Sequence, residues 1–282
     1  MTTPPELSCC DTTFPLLGHR QTCELVRLLG FDAVDIALWG SRSHINAQEA
    51  ASDPAGWSRR IEEHTASQGL TVADLFAIPH ADYAVMAVNN PSADERARGR
   101  AWFRRIVELA ALLGVDGITL VPGLDFPGEP HAGSLRRAAV ELAVRADIAG
   151  AAGVRLSVEP HIGSVISSPD DTRELLDLAP GLEVTLDYSH FVMQGYAPGD
   201  LDPLLGRVRH VQARGARPDR LQVGMKENTI DFSRMLDALE TAGYRGRIAT
   251  EYLWIDEGRC DECDTLSETI LLRDLLLGRT PA

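Results

Sequence analysis

Three observations in the sequence predict one closed (β/α)8 TIM barrel with its active site at the C-terminal ends of the strands. A helical stretch, a glycine and a short apolar strand follow one another seven times, no linker or low-complexity segment separates the units, and the last four strands each close on an ionisable residue. Helices alternating with strands imply a parallel sheet, and eight such strands in one run imply closure. An open doubly wound sheet lacks support, because no GxGxxG follows a first strand.

The glycine fits the left-handed position that commonly ends a helix. Glu6–Cys10 is the first strand. Leu28-Leu-Gly30 then precedes Ala33–Ala37, Ser67-Gln-Gly69 precedes Thr71–Ala77, and Leu112-Leu-Gly114 precedes Gly117–Val121. Gly153 precedes Val154–Glu159, Gly181 precedes Leu182–Asp187, Gly206 precedes Val208–Gln212, and Gly243 to Gly246 precede Arg247–Tyr252. Of the helices between them, Arg100–Leu113 places Phe103, Ile106, Val107, Ala110 and Leu113 on one stripe, as an outer barrel helix requires. Ser134–Ala149 behaves alike, Ser168 caps a helix with Pro169 at its first position, and the last two helices start at Asp231 and Thr265. Trp39–Gly56, Pro79–Asp94, Val121–Gly133 and Arg214–Ile230 are linker-like and all follow strands, so long loops gather on one face.

With 44% hydrophobic and 24% charged residues the chain can bury a full core, and a single domain over residues 1–282 is expected. A net charge of −14 argues against nucleic acid, whose phosphates are bound by a surplus of Lys and Arg. No apolar run approaches a membrane span, and Met1–Pro5 lacks the basic and apolar regions of a signal peptide, so a cytoplasmic protein with no membrane partner is expected. Nothing in the sequence identifies an oligomeric surface, although a homo-oligomer is compatible with the fold. Five cysteines do not make a disulfide framework, and Cys9, Cys10, Cys260 and Cys263 read better as reduced thiols than as a structural zinc site.

The chemistry lies in strands five to eight, which end on Glu159, Asp187, His210 and Glu251. Ionisable groups at buried strand ends cost free energy unless they are paired or bind a metal, and alternation sends all four inward. Two glutamates, an aspartate and a histidine make an oxygen-rich set suited to one divalent ion, Mn2+ or Mg2+ foremost, with Co2+ or Zn2+ as substitutes. Such an ion would polarise the carbonyl of a sugar-like hydroxyketone and stabilise the enediolate formed on loss of the adjacent proton. Glu159 and Glu251 are the expected acid and base, and His190, three residues past Asp187, the expected donor to a substrate oxygen. His161, Arg214, Arg217 and Trp39 are the expected substrate contacts, and Gln212 shares the inward parity of His210.

The chain resembles the xylose isomerase-like barrels, in particular the sugar phosphate isomerase/epimerase family. The resemblance is carried by Gly30-Phe-Asp-Ala-Val-Asp35, Ser157-Val-Glu159-Pro, Leu186-Asp187-Tyr-Ser-His190, His210-Val-Gln212, Asn228-Thr-Ile-Asp231-Phe and Thr250-Glu251-Tyr. It implies that Glu159, Asp187, His210 and Glu251 bind the metal, that the two glutamates are also the acid and base, and that His190 touches substrate. The family's epimerases carry an arginine six residues after the seventh-strand histidine, where this chain has Ala216 between Arg214 and Arg217. The expected activity is isomerisation or epimerisation of a sugar-like hydroxyketone. The alternatives are a dehydratase or other lyase acting on an inosose or 3-oxo-glycoside, and a non-catalytic metal-binding subunit. An apurinic-site endonuclease, which needs many histidines and a basic groove, is disfavoured by eight histidines and the acidic net charge.

Overall fold

The computed structural model describes residues 5–278; residues 1–4 and 279–282, the two ends of the domain expected over 1–282, lie outside the described residues. Eight parallel strands form the barrel: β1 Leu7–Cys10, β2 Ala33–Trp39, β3 Thr71–Ala77, β4 Gly117–Leu120, β5 Arg155–Val158, β6 Glu183–Asp187, β7 Val208–Ala213 and β8 Ile248–Thr250. Each pairs with its neighbour in chain order, and β1 pairs with both β2 and β8, which closes the sheet. These strands are short apolar runs buried on both faces, as a barrel wrapped in helices demands.

The outer layer contains α1 His19–Leu28, α2 Ala47–Ser52, α3 Pro54–Ala66, α4 Ala93–Leu113, α5 His131–Gly150, α6 Pro169–Leu178, α7 Tyr188–Met193, α8 Phe232–Thr241 and α9 Thr265–Leu276. Phe103, Ile106, Val107 and Ala110 of α4 are buried as their spacing predicts. This helix begins seven residues before the expected Arg100. Its first two turns carry no apolar stripe, and what starts it is the Ser92 hydroxyl accepting from Glu95 N–H, with Asp94 and Glu95 at the positive end of the dipole. Gly114 ends it at φ 66°, a conformation a side chain would resist. Trp39–Gly56 is more structured than a linker: Ile45–Asn46 adds a two-residue strand beside β2, and the Asn46 side chain caps α2. Among the described residues no helix is long and apolar enough to cross a membrane.

The N-terminal half of the barrel interior is polar. The Arg209 guanidinium enters it, donating to Asp74 Oδ1 at 2.7 Å and to Ser157 Oγ at 2.7 and 3.0 Å. Thr119 Oγ1 donates to Asp74 Oδ2 at 2.6 Å, and the Thr185 hydroxyl lies within 2.7 Å of those of Thr119 and Ser157. Gly117 makes room for this, since a Cβ there would stand 2.4 Å from Arg209 Nη1. Arg209 is reached by an irregularity: the β6–β7 register slips between Val184 and Thr185, so the β7 strand offers Arg209 as well as His210 to the interior. Burying Arg209 and Asp74 is tolerable only because each satisfies the other. Asp74→Ala is therefore expected to destabilise the fold by about 3–5 kcal/mol in denaturant titration, the usual cost of stranding a buried charge.

Candidate active site

Above this polar floor, at the C-terminal ends of the strands, lies a cavity of about 480 Å3 bounded by Glu159, His161, His190, Arg214 and Glu251 together with Trp39 and other aromatic and aliphatic side chains. Glu159 immediately follows β5 and Glu251 immediately follows β8. Asp187, the last residue of β6, is also the N-cap of α7: its Oδ1 accepts from Ser189 N–H at 2.8 Å. That cap starts α7 with no intervening loop and fixes His190 in its first turn, where Nε2 lies 3.5 Å from Glu159 Oε1 and 3.6 Å from Asp187 Oδ2. His190 Nδ1 lies 3.3 Å from Ile162 N–H, which anchors the ring with Nε2 facing those carboxylates.

Arg214 is at the centre of the group. It is fully buried, its Nε donates to Ser189 Oγ at 3.0 Å, and its Nη2 lies 2.6 Å from Asp187 Oδ2, 3.1 Å from His190 Nε2 and 3.5 Å from Glu251 Oε2. Its Nη1 is buried with no hydrogen-bond partner among the described residues. Gln212 Nε2 donates to Glu251 Oε1 at 3.0 Å, and its own Oε1 is likewise unpartnered. Burial would raise the pKa of Asp187, but the Arg214 charge, His190 and the bonds from Ser189 outweigh it and hold the carboxyl below the ordinary range. Glu251 goes the other way: burial pushes it well above that range, Arg214 only partly offsets this, and the charges of Glu159 and Asp187 push it further up. Arg214 itself is held firmly cationic, because Asp187 and Glu251 more than offset the cost of its burial.

The structure thus brings Glu159, Asp187, His190, Arg214 and Glu251 together and places His210 elsewhere. Thr185 pairs with His210 and Asp187 pairs with Gln212, so the imidazole sits one inward-facing layer deeper than Asp187 and the Gln212 amide stands at the Asp187 level. There His210 Nε2 meets Asp35 Oδ2 at 2.6 Å, in a buried group with Asp74. Asp35 and Asp74 lie within the strands, two to four residues short of the ends where sequence reasoning sought ligands. His161 lines the cavity with its ring 5.7 Å from that of His190, while its Nδ1 is engaged by the carbonyl of Ile162 at 2.7 Å. Trp39 also lines it, edge-on to Phe76, with its indole Nε1 buried and unpartnered. Arg217, the other expected contact, is not among the cavity residues and pairs with Glu227 at 3.4 Å. Tyr83, from the loop after β3, lines the cavity without having been singled out by any sequence pattern.

The donor set does not fit a divalent ion as the sequence leads one to expect. Among the described residues, the groups of three whose donor atoms lie within 4.8 Å of one another are Asp35–Asp74–His210 and Glu159–Asp187–His190, and neither contains the expected quartet. The second group already surrounds a cation. An ion taking Asp187 Oδ2 would have to share that oxygen with the Arg214 nitrogen already 2.6 Å from it, and like charges brought that close repel.

Fold and site together define a single (β/α)8 barrel whose ionisable residues converge on the rim formed by its C-terminal strand ends. The chain belongs to the xylose isomerase-like TIM barrel family, whose model matches residues 23–268. No curated protein matches it by sequence. Among solved structures it is similar to D-allulose 3-epimerase from Methylomonas sp. in complex with D-allulose, at 16% identity and a TM-score of 0.76, covering 99% of this chain and 98% of that one. It is similar also to the IOLI protein with a bound zinc atom, at 18% identity and a TM-score of 0.74 with 97% and 98% covered. A third is the probable 3-DHS dehydratase AsbF from Bacillus anthracis, at 13% identity and a TM-score of 0.71 with 95% and 98% covered. At these identities the likeness establishes the fold.

The His210 placement has a pH consequence. Burial lowers the His210 pKa, but the charge and hydrogen bond of Asp35 prevail and leave it above the ordinary imidazole value. A group raised in this way contributes stability that is complete below its unfolded pKa near 6.5 and is lost as pH rises through the folded value. The gap in thermal midpoint between wild type and His210→Asn is therefore expected to be widest near pH 6 and to narrow as the pH is raised into the alkaline range. A gap that stays constant over that range would exclude a charged His210–Asp35 pair.

Proposed function

We propose that this barrel is an isomerase or epimerase of a sugar-like hydroxyketone, moving a carbon-bound proton next to a carbonyl. The observation that carries the reading is that Glu159 and Glu251, from strands β5 and β8, border one cavity beside a buried cation, with the pKa of one of them driven far upward. Two carboxyl groups in unlike environments are what an acid and a base at neutral pH require. Glu251, whose proton burial and acidic neighbours hold more tightly than usual, returns the proton, and Glu159 removes it.

The remaining residues then have roles set by their positions. The carbonyl oxygen gains negative charge as the proton leaves, and Arg214 Nη1, buried and without a partner among the described residues, is a donor available to it. His190 Nε2 meets the neighbouring hydroxyl, and the His161 ring beside it limits the room. Trp39 and Phe76 offer an apolar wall to one face of the substrate, and such a wall with a few convergent polar groups suits a neutral polyol rather than an anion. Among the named neighbours that share the fold, one is a 3-epimerase in complex with D-allulose. Elimination of water is the second reading, favoured by His190 Nε2 lying 3.5 Å from Glu159 Oε1, where the imidazole can reach a departing hydroxyl. The divalent ion expected from the sequence meets Arg214 among its ligands, so no step here is routed through it.

Exchange of a substrate carbon-bound proton with deuterated solvent tests this directly, run with and without Mn2+ across ketoses, inososes and 3-oxo-glycosides. Wild type is expected to exchange at least one of them, and Glu251→Gln to lose about 10²–10⁴-fold in rate while keeping the fold. Exchange at the wild-type rate in that variant would remove Glu251 from the chemistry. No exchange by wild type on any member of the panel would remove the function.

A further inference from the structure

We infer that Arg214 is the resident cation of this site and that the protein works without a bound metal. Five observations converge on it. The guanidinium is fully buried, and Nη2 lies 2.6 Å from Asp187 Oδ2, 3.5 Å from Glu251 Oε2 and 3.1 Å from His190 Nε2; the first two of these residues belong to the expected metal-ligand set. The level at which a fourth ligand would complete that set carries the amide of Gln212, whose Nε2 is already committed to Glu251. The histidine expected there is paired with Asp35 one layer down. Ser189 Oγ fixes Nε, so the side chain is anchored at both ends of its guanidinium. The remaining nitrogen, Nη1, has no partner among the described residues, and Arg214 borders the cavity.

A planar guanidinium in this position supplies what a Lewis acid would: a permanent positive charge beside the oxygen that becomes negative, held rigidly and out of water. It differs in what it gives up. An ion can chelate two vicinal oxygens, whereas Arg214 has one free nitrogen and grips a single oxygen, leaving the second to His190. It also cannot be removed by a chelator. This inference rests on the proton-transfer reading for its catalytic meaning, but the identity of the cation can be measured without turnover.

The experiment is Mn2+ binding to the full-length protein, read by calorimetry and by the shift of the thermal midpoint, with EDTA as the opposing control. Wild type is expected to show no Mn2+ binding at millimolar concentration and no midpoint shift with either additive. Arg214→Ala leaves three carboxylates around the vacated space and is expected to bind one equivalent of Mn2+ at least 100-fold more tightly than wild type, with the gain abolished in the Arg214→Ala/Asp187→Asn double variant. Arg214→Gln, which keeps a donor for Ser189 or Asp187, takes its place if the alanine variant fails to fold by circular dichroism. Stoichiometric binding by wild type that is lost in Asp187→Asn overturns the inference, and so does a folded Arg214 variant that gains no affinity. Solvent exchange separates this from the broader reading: exchange that requires Mn2+ sinks the metal-free site alone, whereas absence of exchange under every condition sinks the activity and leaves the binding result standing.

Discussion

The two oxygens of Asp187 face in different directions, and the architecture of the barrel mouth follows from that. Oδ1 caps a six-residue helix and so decides where the chain turns after β6. Oδ2 holds the Arg214 guanidinium, which in turn reaches Ser189 on the same helix. The strand end, the helix start and the buried cation therefore form one closed loop of hydrogen bonds. His190 is carried on that helix, so its distance to Glu159 is set by the same carboxylate. A neutral amide at position 187 would keep the cap and weaken the grip on the guanidinium, and an alanine would lose both.

Much of the fold is legible in the sequence because its signals are local. A glycine closing a helix and a run of apolar residues opening a strand are readable within a dozen residues, and seven of the eight barrel strands lie where that punctuation puts them. The early start of α4 was missed because its first two turns announce themselves through a cap and acidic residues, and no apolar period marks them. The candidate site was readable in part for the same kind of reason. Glu159, Asp187 and Glu251 end their strands, and termination is a local property. Which side chain of β7 reaches their level depends on the pairing of β6 with β7, and that pairing slips between Val184 and Thr185 in a way no single strand reveals. His210 and Gln212 have the same parity, so alternation alone cannot choose between them.

Arg214 illustrates a different limit. Arginines in loops are usually solvated, and Arg214 and Arg217 sit three residues apart in one loop with the same composition around them. One is buried among carboxylates and the other is half-buried beside Glu227. What separates them is that Arg214 continues the inward face of β7 at the level of Glu251, since Ala213 pairs with Thr250 and Glu251 N–H donates to the Ala213 carbonyl.

The unpartnered atoms around the cavity have an energetic meaning of their own. Arg214 Nη1, Gln212 Oε1 and Trp39 Nε1 are each buried without a protein partner among the described residues, and a buried polar group left unsatisfied costs about 1–3 kcal/mol. All three belong to residues of the cavity or its immediate floor. The free protein therefore carries part of its folding energy in a form that a ligand bearing an acceptor and hydroxyls at the right spacing can recover. Recognition in such a site begins as repair of the host, and a molecule that fills the volume without meeting those atoms gains only its apolar contacts.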